Sequence, residues 1–426
     1  MAATYADLAR LDAILKDRPI QDAIRKAINL ATPFAEKITQ QLSISGRKGI
    51  FPVQFGVNEG IYARSEKEAF GNSAVDSPDL AEVTPRYIYA LFEITGQSMS
   101  MTRDTPGAFE EALALTLQNT IDGVKLDMAR QIIGDGSGKI ALVQSKTDTD
   151  TYVFDSPFGI TRYKSDGPVR NILRNNMPLA IIDQTTTTTT HLSGNADTVT
   201  HSATGTTIDF DTAEATAGAD GDFLVRGGGL LAGVGPGATA VNNYGKEIQG
   251  WEAAVQSTGT YMGISRTGRE NWQGVLVDAA GGGASTVALS PDVLRDTVDT
   301  IMERTGYSPE FLVMNYAQRR NMYNLFSAQI RYAPMVLPTG LRENTLQFDD
   351  MSVLVERFWP AEHIGLVNTS FWYHVMAKDT EWIPGQGGTV LHFTLNNDVF
   401  RAVMRTYRNM ICLYPATQGT IYGLDN

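Results

Sequence analysis

The sequence predicts an α+β protein in which slender peripheral elements precede a larger β-rich body. Three observations predict it: an apolar stripe of helical period over 106–133, two aromatic and branched runs that flank a polar stretch between 50 and 95, and a glycine- and threonine-rich region from 139 to 283. The 426 residues suggest about two to three domains. Because 42% of residues are apolar and only 19% are charged, a sizeable core is expected and bulk disorder is not.

The first 45 residues are predicted to form a helical, peripheral arm. Leu8, Leu11 and Ile14 recur at helical spacing, and Pro19 and Pro33 break the pattern. The start lacks a basic region followed by an apolar one, so no secretory signal is expected. No run approaches the roughly 18 apolar residues of a membrane span. With so few apolar groups, such an arm is expected to lie on the rest of the protein or on a neighbour.

Two strand-like runs, 50–57 and 86–95, are predicted to form a long hairpin. Between them lies a stretch of Gly, Ser, Asn, Asp, Lys and Glu. A two-stranded projection is at best marginally stable by itself in water. We therefore expect this hairpin to lie against something else.

A long helix is predicted from 106 to 133, about 42 Å in length. Thr105 can cap it, Pro106 suits its first position and Gly134 ends it. Its apolar stripe comprises Phe109, Leu113, Leu117, Ile121, Val124, Met128 and Ile132. The side chains expected on the solvent side are Glu110, Glu111, Asp122, Lys125 and Arg130.

The remainder is predicted to be mainly strands. Residues 185–190 and 198–211 favour β structure, and 220–227 favours a turn into a strand. The six threonines of 185–190 are also compatible with a disordered linker. Helices from Ser290 and over 316–327 flank a buried strand at 311–314, and the chain ends in strands at 399–413 and 416–424.

No local motif predicts a catalytic, cofactor or metal site. Residues 134–139 lack the spacing of a phosphate loop, so a helix cap followed by a turn is expected, and 233–237 is expected to be a flexible loop. The histidines lack metal-ligand spacing. The Asp148/Asp150, Asp209/Asp211 and Asp220/Asp222 pairs do not continue into a calcium loop, so solvated turns are expected.

The cysteine, charge and aromatic content of the chain argue against further classes of protein. The single cysteine, Cys412, excludes an intrachain disulfide framework and is expected to be a buried packing residue. The formal charge of −12 comes without a basic face visible in the linear sequence, which disfavours tight nucleic-acid binding. Aromatic residues concentrated between Phe358 and Trp382 are expected to pack in the core or at an interface rather than to stack on bases.

The order of these elements resembles the major capsid protein of a tailed bacteriophage, whose capsid fold is shared with the herpesvirus capsid floor and with encapsulins. The resemblance covers most of the chain. It is carried by residues 87–101 running into 105–138, by GDFLVR (221–226) with GTYMGISR (259–266) and Trp272, and by PEFLVMN (309–315) with Arg319, Tyr323 and Arg331.

The resemblance implies a domain map. It places an N-terminal arm at 1–46 and an extended loop at 47–100. A peripheral domain follows at 101–140 and 376–412, with 106–133 as its spine helix. The axial domain takes 141–375 and 413–426, with a β-rich insertion at 165–285.

The resemblance also implies a non-enzymatic role: self-assembly, as pentamers and hexamers, into an icosahedral head shell around packaged double-stranded DNA. The expected partners are a separate scaffolding protein, a portal protein and a decoration protein, with weak, non-specific DNA contact, no membrane and no cofactor. The expected location is the virion, after synthesis in the host cytoplasm. Assembly contacts are expected in the extended loop, at Arg64, Glu66, Lys67, Glu68 and Phe70.

Two other interpretations stay open at the level of sequence. An encapsulin-like protein compartment shares the fold, and the enclosed cargo distinguishes it from a phage head. An enzymatic or carbohydrate-binding role is suggested by the β-rich middle and the late tryptophans. Detected activity without assembly would favour that role.

Overall fold

The computed structural model describes residues 32–68, 78–97, 106–160, 169, 172–186, 190–202, 205–212, 218–227, 242–282, 285–327, 347–384, 390–393 and 398–425. Helices and strands are mixed throughout, as the predicted α+β class requires. Most of the predicted N-terminal arm, residues 1–31, lies outside the described residues. In the described part of the chain, no helix has the length and hydropathy needed to cross a bilayer.

Five α-helices lie among the described residues. The α-helices are α1 (Pro33–Lys37), α2 (Pro106–Ile133), α3 (Trp251–Ala254), α4 (Pro291–Thr305) and α5 (Tyr316–Ser327). Short 3-10 turns lie at Pro157–Gly159, Glu270–Trp272, Thr369–Phe371 and Pro415–Thr417.

The strands up to the middle of the chain are β1 (Gln41–Ser43), β2 (Gly49–Val53), β3 (Asp79–Val83), β4 (Arg86–Thr95), β5 (Lys139–Lys146), β6 (Thr151–Asp155), β7 (Pro178–Ile182), β8 (Thr190–His201), β9 (Thr206–Phe210) and β10 (Phe223–Arg226). The later strands are β11 (Thr260–Tyr261), β12 (Ile264–Ser265), β13 (Val275–Asp278), β14 (Phe311–Met314), β15 (Gln347–Phe348), β16 (Met351–Val355), β17 (Ile364–Val367), β18 (Trp372–Trp382), β19 (His392–Phe393), β20 (Val399–Cys412) and β21 (Gly419–Tyr422).

Helix α2 has the predicted bounds, but the residues that it buries and exposes differ in part from the prediction. Leu126, Ala129 and Ile133 are buried, whereas Ile121 of the predicted stripe is 39% exposed. Arg130, expected on the solvent side, is buried. The reason is that the guanidinium of Arg130 pairs with two carboxylates, Asp127 of the same helix and Glu247 of a distant segment.

The turn after α2 follows the prediction of a helix cap and turn. Gly136 and Gly138 have φ values of +86° and +80°, in the region that favours glycine. Asp135 Oδ1 accepts a hydrogen bond of 2.8 Å from the Ser137 N–H. The chain thereby reverses directly into β5.

Gly123 is a position where alanine should stabilise the protein. It lies in the interior of α2, and no atom lies within 4 Å of the place a Cβ would take. The Gly123→Ala variant is expected to raise the free energy of unfolding by about 0.5–1 kcal/mol, because glycine loses more backbone entropy in a helix. Urea unfolding measures this. In the control, Gly136→Ala, the Cβ would lie 2.6 Å from Gln249 Cγ at positive φ, so stability should fall. Equal or lower stability of Gly123→Ala would contradict the account of α2.

The hairpin predicted from 50–57 and 86–95 is wrong in its second strand. β2 pairs antiparallel with β3, from Gly49 opposite Val83 to Val53 opposite Asp79. β4 pairs instead with β20 along its whole length. The physical reason is that Phe92 and Ile94 of β4 are buried in a hydrophobic cluster with Ala402 of β20, which no short hairpin would provide.

The β-rich middle forms a closed barrel of strand order β10-β5-β6-β9-β8-β7. Tyr152, Phe154 and Ile208 are fully buried inside the structure. The barrel begins at 139, so the predicted start of the insertion at 165 falls within it. Thr185 and Thr186 lie in a bend rather than in the predicted strand, because Asp183 Oδ1 accepts hydrogen bonds from their N–H groups.

A six-stranded sheet of order β13-β21-β17-β14-β16-β15 forms the second body. Helices α4 and α5 start where predicted, and the Ser290 hydroxyl caps α4 by accepting from the Asp292 N–H at 3.2 Å. Leu294, Ile301 and Leu312 belong to the hydrophobic core of this body. The predicted strand at 311–314 is present as β14.

A third sheet joins distant parts of the chain. β20 pairs with β4 along one edge and with β18 and β19 along the other, and β1 adds to β18 in parallel. Trp359 and Trp372 are buried, and Trp372 stacks on Trp251 at a centroid distance of 5.8 Å. The late aromatic residues therefore include core residues, as predicted.

Candidate assembly surfaces

The loop end of the β2–β3 hairpin is anchored to the segment that follows β12. Arg269 makes an ion pair of 2.6 Å with Asp79 and lies 5.5 Å from the centroid of the Phe55 ring. Phe55 in turn contacts Trp272 edge-on at 5.6 Å. These contacts fix where the chain leaves the body of the subunit.

Beyond this anchor the chain is open to solvent. We call residues 54–68 the hairpin loop. Val57 is 69% exposed, Ile61 is 87% exposed and Tyr62 is 43% exposed. The loop is locally ordered by hydrogen bonds such as that from the Gly60 N–H to Asn58 Oδ1 at 2.9 Å. An apolar side chain as exposed as Ile61 has its hydrophobic surface uncovered by its own subunit.

The predicted assembly residues lie at the far end of this loop. Arg64, Glu66, Lys67 and Glu68 are exposed. A turn brings two of them together: Arg64 Nη1 donates to the Glu68 carbonyl oxygen at 2.8 Å, and Glu68 Oε2 accepts from the Ser65 N–H at 3.0 Å. The fifth residue, at position 70, lies outside the described residues. Their role in assembly stays a prediction.

A second exposed surface lies on the sheet formed by β4 and β20. We call Tyr87, Tyr89 and Leu91 the tyrosine row; they are 56%, 56% and 50% exposed. The alternation of β4 places Ile88 on the opposite, partly buried side. Tyr407 of β20 lies beside the row, opposite Tyr87 in the neighbouring strand, with its Oη 2.9 Å from that of Tyr89.

Charged pairs border the tyrosine row. Arg401 is paired with Glu93, and Arg405 Nη2 lies 2.6 Å from Glu381 Oε1. The hydrogen bond from Arg405 holds the pKa of Glu381 below its usual value, so this border keeps both signs of charge at neutral pH. An apolar row with a charged border is the arrangement of a protein contact surface.

Sequence reasoning missed the tyrosine row. It assigned 86–95 to a projecting hairpin, in which the two faces of the strand would be equally exposed. The available signal was that the odd positions Tyr87, Tyr89 and Leu91 and the even positions Ile88 and Ala90 are all apolar. A strand with two apolar sides favours cover on both, and the subunit covers one.

The structure also gathers residues that the sequence analysis treated separately. Asp183, His191 and Asp222 form a group of potential metal ligands, the one such group among the described residues. The expectation that Asp222 lies in a solvated turn is wrong, because it is 1% exposed. Strand pairing of β7 with β8 and β10 brings the three together, which spacing along the chain does not reveal.

Cys412 is buried as predicted, and it should be chemically inert in the folded protein. Burial raises the pKa of its thiol to about 12, and its N–H donates to Tyr261 Oη at 2.9 Å. We expect no reaction with Ellman's reagent in native protein and one equivalent of released thiolate per chain in guanidinium chloride. Rapid stoichiometric labelling of native protein would show that the strand around Cys412 opens.

Comparison with known proteins gives a fold. No protein-family model and no curated protein matches the sequence. Among solved structures, a chain of the cyanophage A-1(L) capsid asymmetric unit aligns with a TM-score of 0.58 and 11% identity, over 97% of this chain and 98% of that one. A chain from the capsid of the native GTA particle aligns with a TM-score of 0.51 and 10% identity, over 98% of both chains.

The chain therefore has the fold of phage capsid proteins, and it has it over nearly its whole length. This confirms the resemblance drawn from the order of elements. An encapsulin from Synechococcus elongatus also aligns, with a TM-score of 0.43 and 10% identity over 99% of this chain and 97% of that one.

Proposed function

We propose that this chain is the major capsid protein of a tailed phage, and that its copies assemble into the icosahedral head shell around packaged double-stranded DNA. The observation that carries the proposal is the exposed hairpin loop on a subunit with a capsid fold. Val57, Ile61 and Tyr62 leave apolar surface uncovered in the single chain. Identical neighbours that repeat one contact by symmetry would cover it and close a container.

Weak individual contacts are sufficient in such a shell. Each subunit would offer the hairpin loop and the tyrosine row to neighbours in pentamers and hexamers. Because every subunit makes several contacts at once, the assembly is multivalent and its stability exceeds that of any one contact. No catalytic group is required, and the proposal assigns none.

The charge of the subunit suits a DNA container. A formal charge of −12 disfavours tight phosphate binding by the wall. DNA that touches the inner wall weakly and without sequence preference can be packed and released. Mapping charges on the assembled shell tests this point, and an inner wall rich in lysine and arginine would contradict it.

The proposal includes the partners of such a shell. A separate scaffolding protein would guide assembly, a portal protein would occupy one vertex, and a decoration protein would bind outside. The subunit would be made in the host cytoplasm and would end in the virion. Co-purification of shells from infected cells, followed by mass spectrometry, identifies these partners.

The deciding experiment is expression of the whole chain, followed by gel filtration and negative-stain microscopy. The proposal predicts capsomers or closed shells, with a scaffolding protein supplied where needed. A stable monomer under every condition would contradict it. Shells that enclose a protein cargo, encoded away from terminase and portal genes, would instead indicate the encapsulin-like compartment.

A further inference from the structure

We propose that Asp183, His191 and Asp222 bind one divalent transition-metal ion at the rim of the barrel. The inference is independent of the proposed shell function. Asp183 follows β7 directly, His191 is the second residue of β8, and Asp222 precedes β10. Because β7 pairs antiparallel with both β8 and β10, these three strand ends meet at one point of the rim.

The distances fit metal ligands better than a direct ion pair. His191 Nε2 lies 3.5 Å from Asp183 Oδ2 and 3.4 Å from Asp222 Oδ2. A charge-assisted N–H···O hydrogen bond is about 2.7–2.9 Å long. Two ligand atoms that each lie about 2.1 Å from one tetrahedral ion are about 3.4 Å apart. The three ligand atoms all lie within 4.8 Å of one another.

The His191 ring faces Asp183 and Asp222 and has few other polar contacts. Its side chain is 9% exposed, and its Nδ1 has no hydrogen-bond partner among the described residues. The ring nitrogen that faces Asp183 and Asp222 is Nε2, so Nε2 is the atom that would coordinate an ion, while Nδ1 lies outside the site.

The Asp183 carboxylate is held in place by backbone hydrogen bonds to one of its oxygens. Its Oδ1 accepts hydrogen bonds of 2.6 and 3.0 Å from the N–H groups of Thr185 and Thr186. Its Oδ2 is the atom that faces His191.

Asp222 is fixed more firmly still. Its Oδ1 accepts from the Gln184 N–H at 3.1 Å and its Oδ2 from the Ala219 N–H at 2.7 Å. A carboxylate that is 1% exposed needs compensation for its charge. Two carboxylates beside one imidazole form a set of ligands whose negative charge a divalent cation would balance.

The ligand set indicates the kind of ion. Imidazole suits zinc, copper, iron and nickel, whereas calcium and magnesium prefer sites made only of oxygen. One imidazole with two carboxylates therefore favours Zn²⁺, with water completing its coordination. A bound ion would tie β7, β8 and β10 together, so it would stabilise the folded barrel by linkage.

The test is zinc titration of the whole chain after treatment with a chelator. Calorimetry with ZnCl₂ is expected to give one site per chain, and zinc is expected to raise the melting temperature. The His191→Gln and Asp183→Asn variants each remove one ligand and should weaken zinc binding by more than about tenfold. Asp220→Asn is the matched control, because it removes a carboxylate from the same turn without removing a ligand.

Each outcome decides the proposal. Wild-type binding near one equivalent that is lost in His191→Gln and kept in Asp220→Asn supports it. Failure of the wild-type chain to bind zinc saturably, or equal binding by His191→Gln, overturns it. Circular dichroism establishes that each variant is folded. If His191→Gln does not fold, Asp183→Asn gives the same decision, since its remaining amide oxygen can still accept the backbone hydrogen bonds.

Discussion

Replacing Ile61 by aspartate should prevent shell assembly while leaving the subunit folded. Ile61 is 87% exposed in the single chain, so the substitution removes no contact within it, and surface changes of this kind usually alter stability by less than about 0.5 kcal/mol. In the proposed shell the same side chain is covered by a neighbour. An unpaired carboxylate buried there costs far more than the roughly 1.4 kcal/mol that equals a tenfold change in association.

Assembly yield is measured by sedimentation and negative-stain microscopy, and the fold by circular dichroism and melting. The matched control is Ile61→Leu, which keeps the apolar surface and should assemble like the wild type. We expect at least about a tenfold loss of shells for Ile61→Asp. Normal shells from a folded Ile61→Asp variant would show that the hairpin loop is not part of the assembly interface.

Replacing Arg130 by methionine should have the largest effect on stability within the subunit. Arg130 Nη2 lies 2.5 Å from Glu247 Oε1 and 3.2 Å from Asp127 Oδ1, and its side chain is 3% exposed. Removing the cation takes the ion pair from the buried Glu247 carboxylate, whereas Asp127 keeps its ion pair with Arg226. Breaking a buried pair from one side typically costs about 3–5 kcal/mol, so the variant should unfold at a much lower urea concentration.

Lys125→Met is the control for this prediction. Lys125 lies on the same helix, but its ion pair with Glu36 is 3.5 Å long and half exposed, so its loss should cost less than about 1 kcal/mol. A similar, small loss in both variants would show that the charged network around Arg130 contributes little. A large loss confined to Arg130→Met supports it.

The same network predicts the direction of the pH dependence. Burial alone would raise the pKa of Asp127, but the charges of Arg226 and Arg130 outweigh it and hold that pKa well below its usual value. A carboxyl with a lowered folded pKa contributes stability that is fully present above its unfolded pKa of about 4. This contribution is lost as the pH falls below that value. Asp127→Asn should therefore flatten the loss of stability between about pH 4 and 2.

Local signals predicted much of the fold. Pro106 and Gly134 bracket α2 at the bounds that the structure has, and Ser290 starts α4 as its capping chemistry requires. The long strand β20 was predicted to end at 413, and it ends at Cys412. Each of these elements depends on residues close together in the chain, where propensity and capping act.

Non-local pairing was the part that sequence did not reveal. β2 had two possible partners, and the choice of β3 over β4 depends on the cluster of Phe92 and Ile94 with a strand some 300 residues away. Arg130 was placed in solvent because its partner Glu247 comes from a distant segment. Periodicity within one element carries no information about such partners.

The same distinction applies to the candidate sites: the sequence predicted one of them, and the others required the fold. The polar stretch between the two strand runs has little hydrophobic content, and it predicted a projection that needs cover. Residues 56–68 of the hairpin loop are indeed exposed, with Gly60 as the one partly buried residue among them. The tyrosine row required knowing that β4 lies in a sheet. The group of Asp183, His191 and Asp222 required knowing which strand ends meet at the barrel rim.

The most direct test of the central claim is a cryo-electron microscopy structure of the protein in its assembled form. The claim is that the hairpin loop is completed by another copy of the chain. We predict that Ile61 and Tyr62 lie buried against an adjacent subunit, with the loop end of the β2–β3 ladder still held by Arg269 and Asp79 as in the single chain. A map in which the hairpin loop folds onto its own subunit, or stays in solvent between well-packed neighbours, would contradict it.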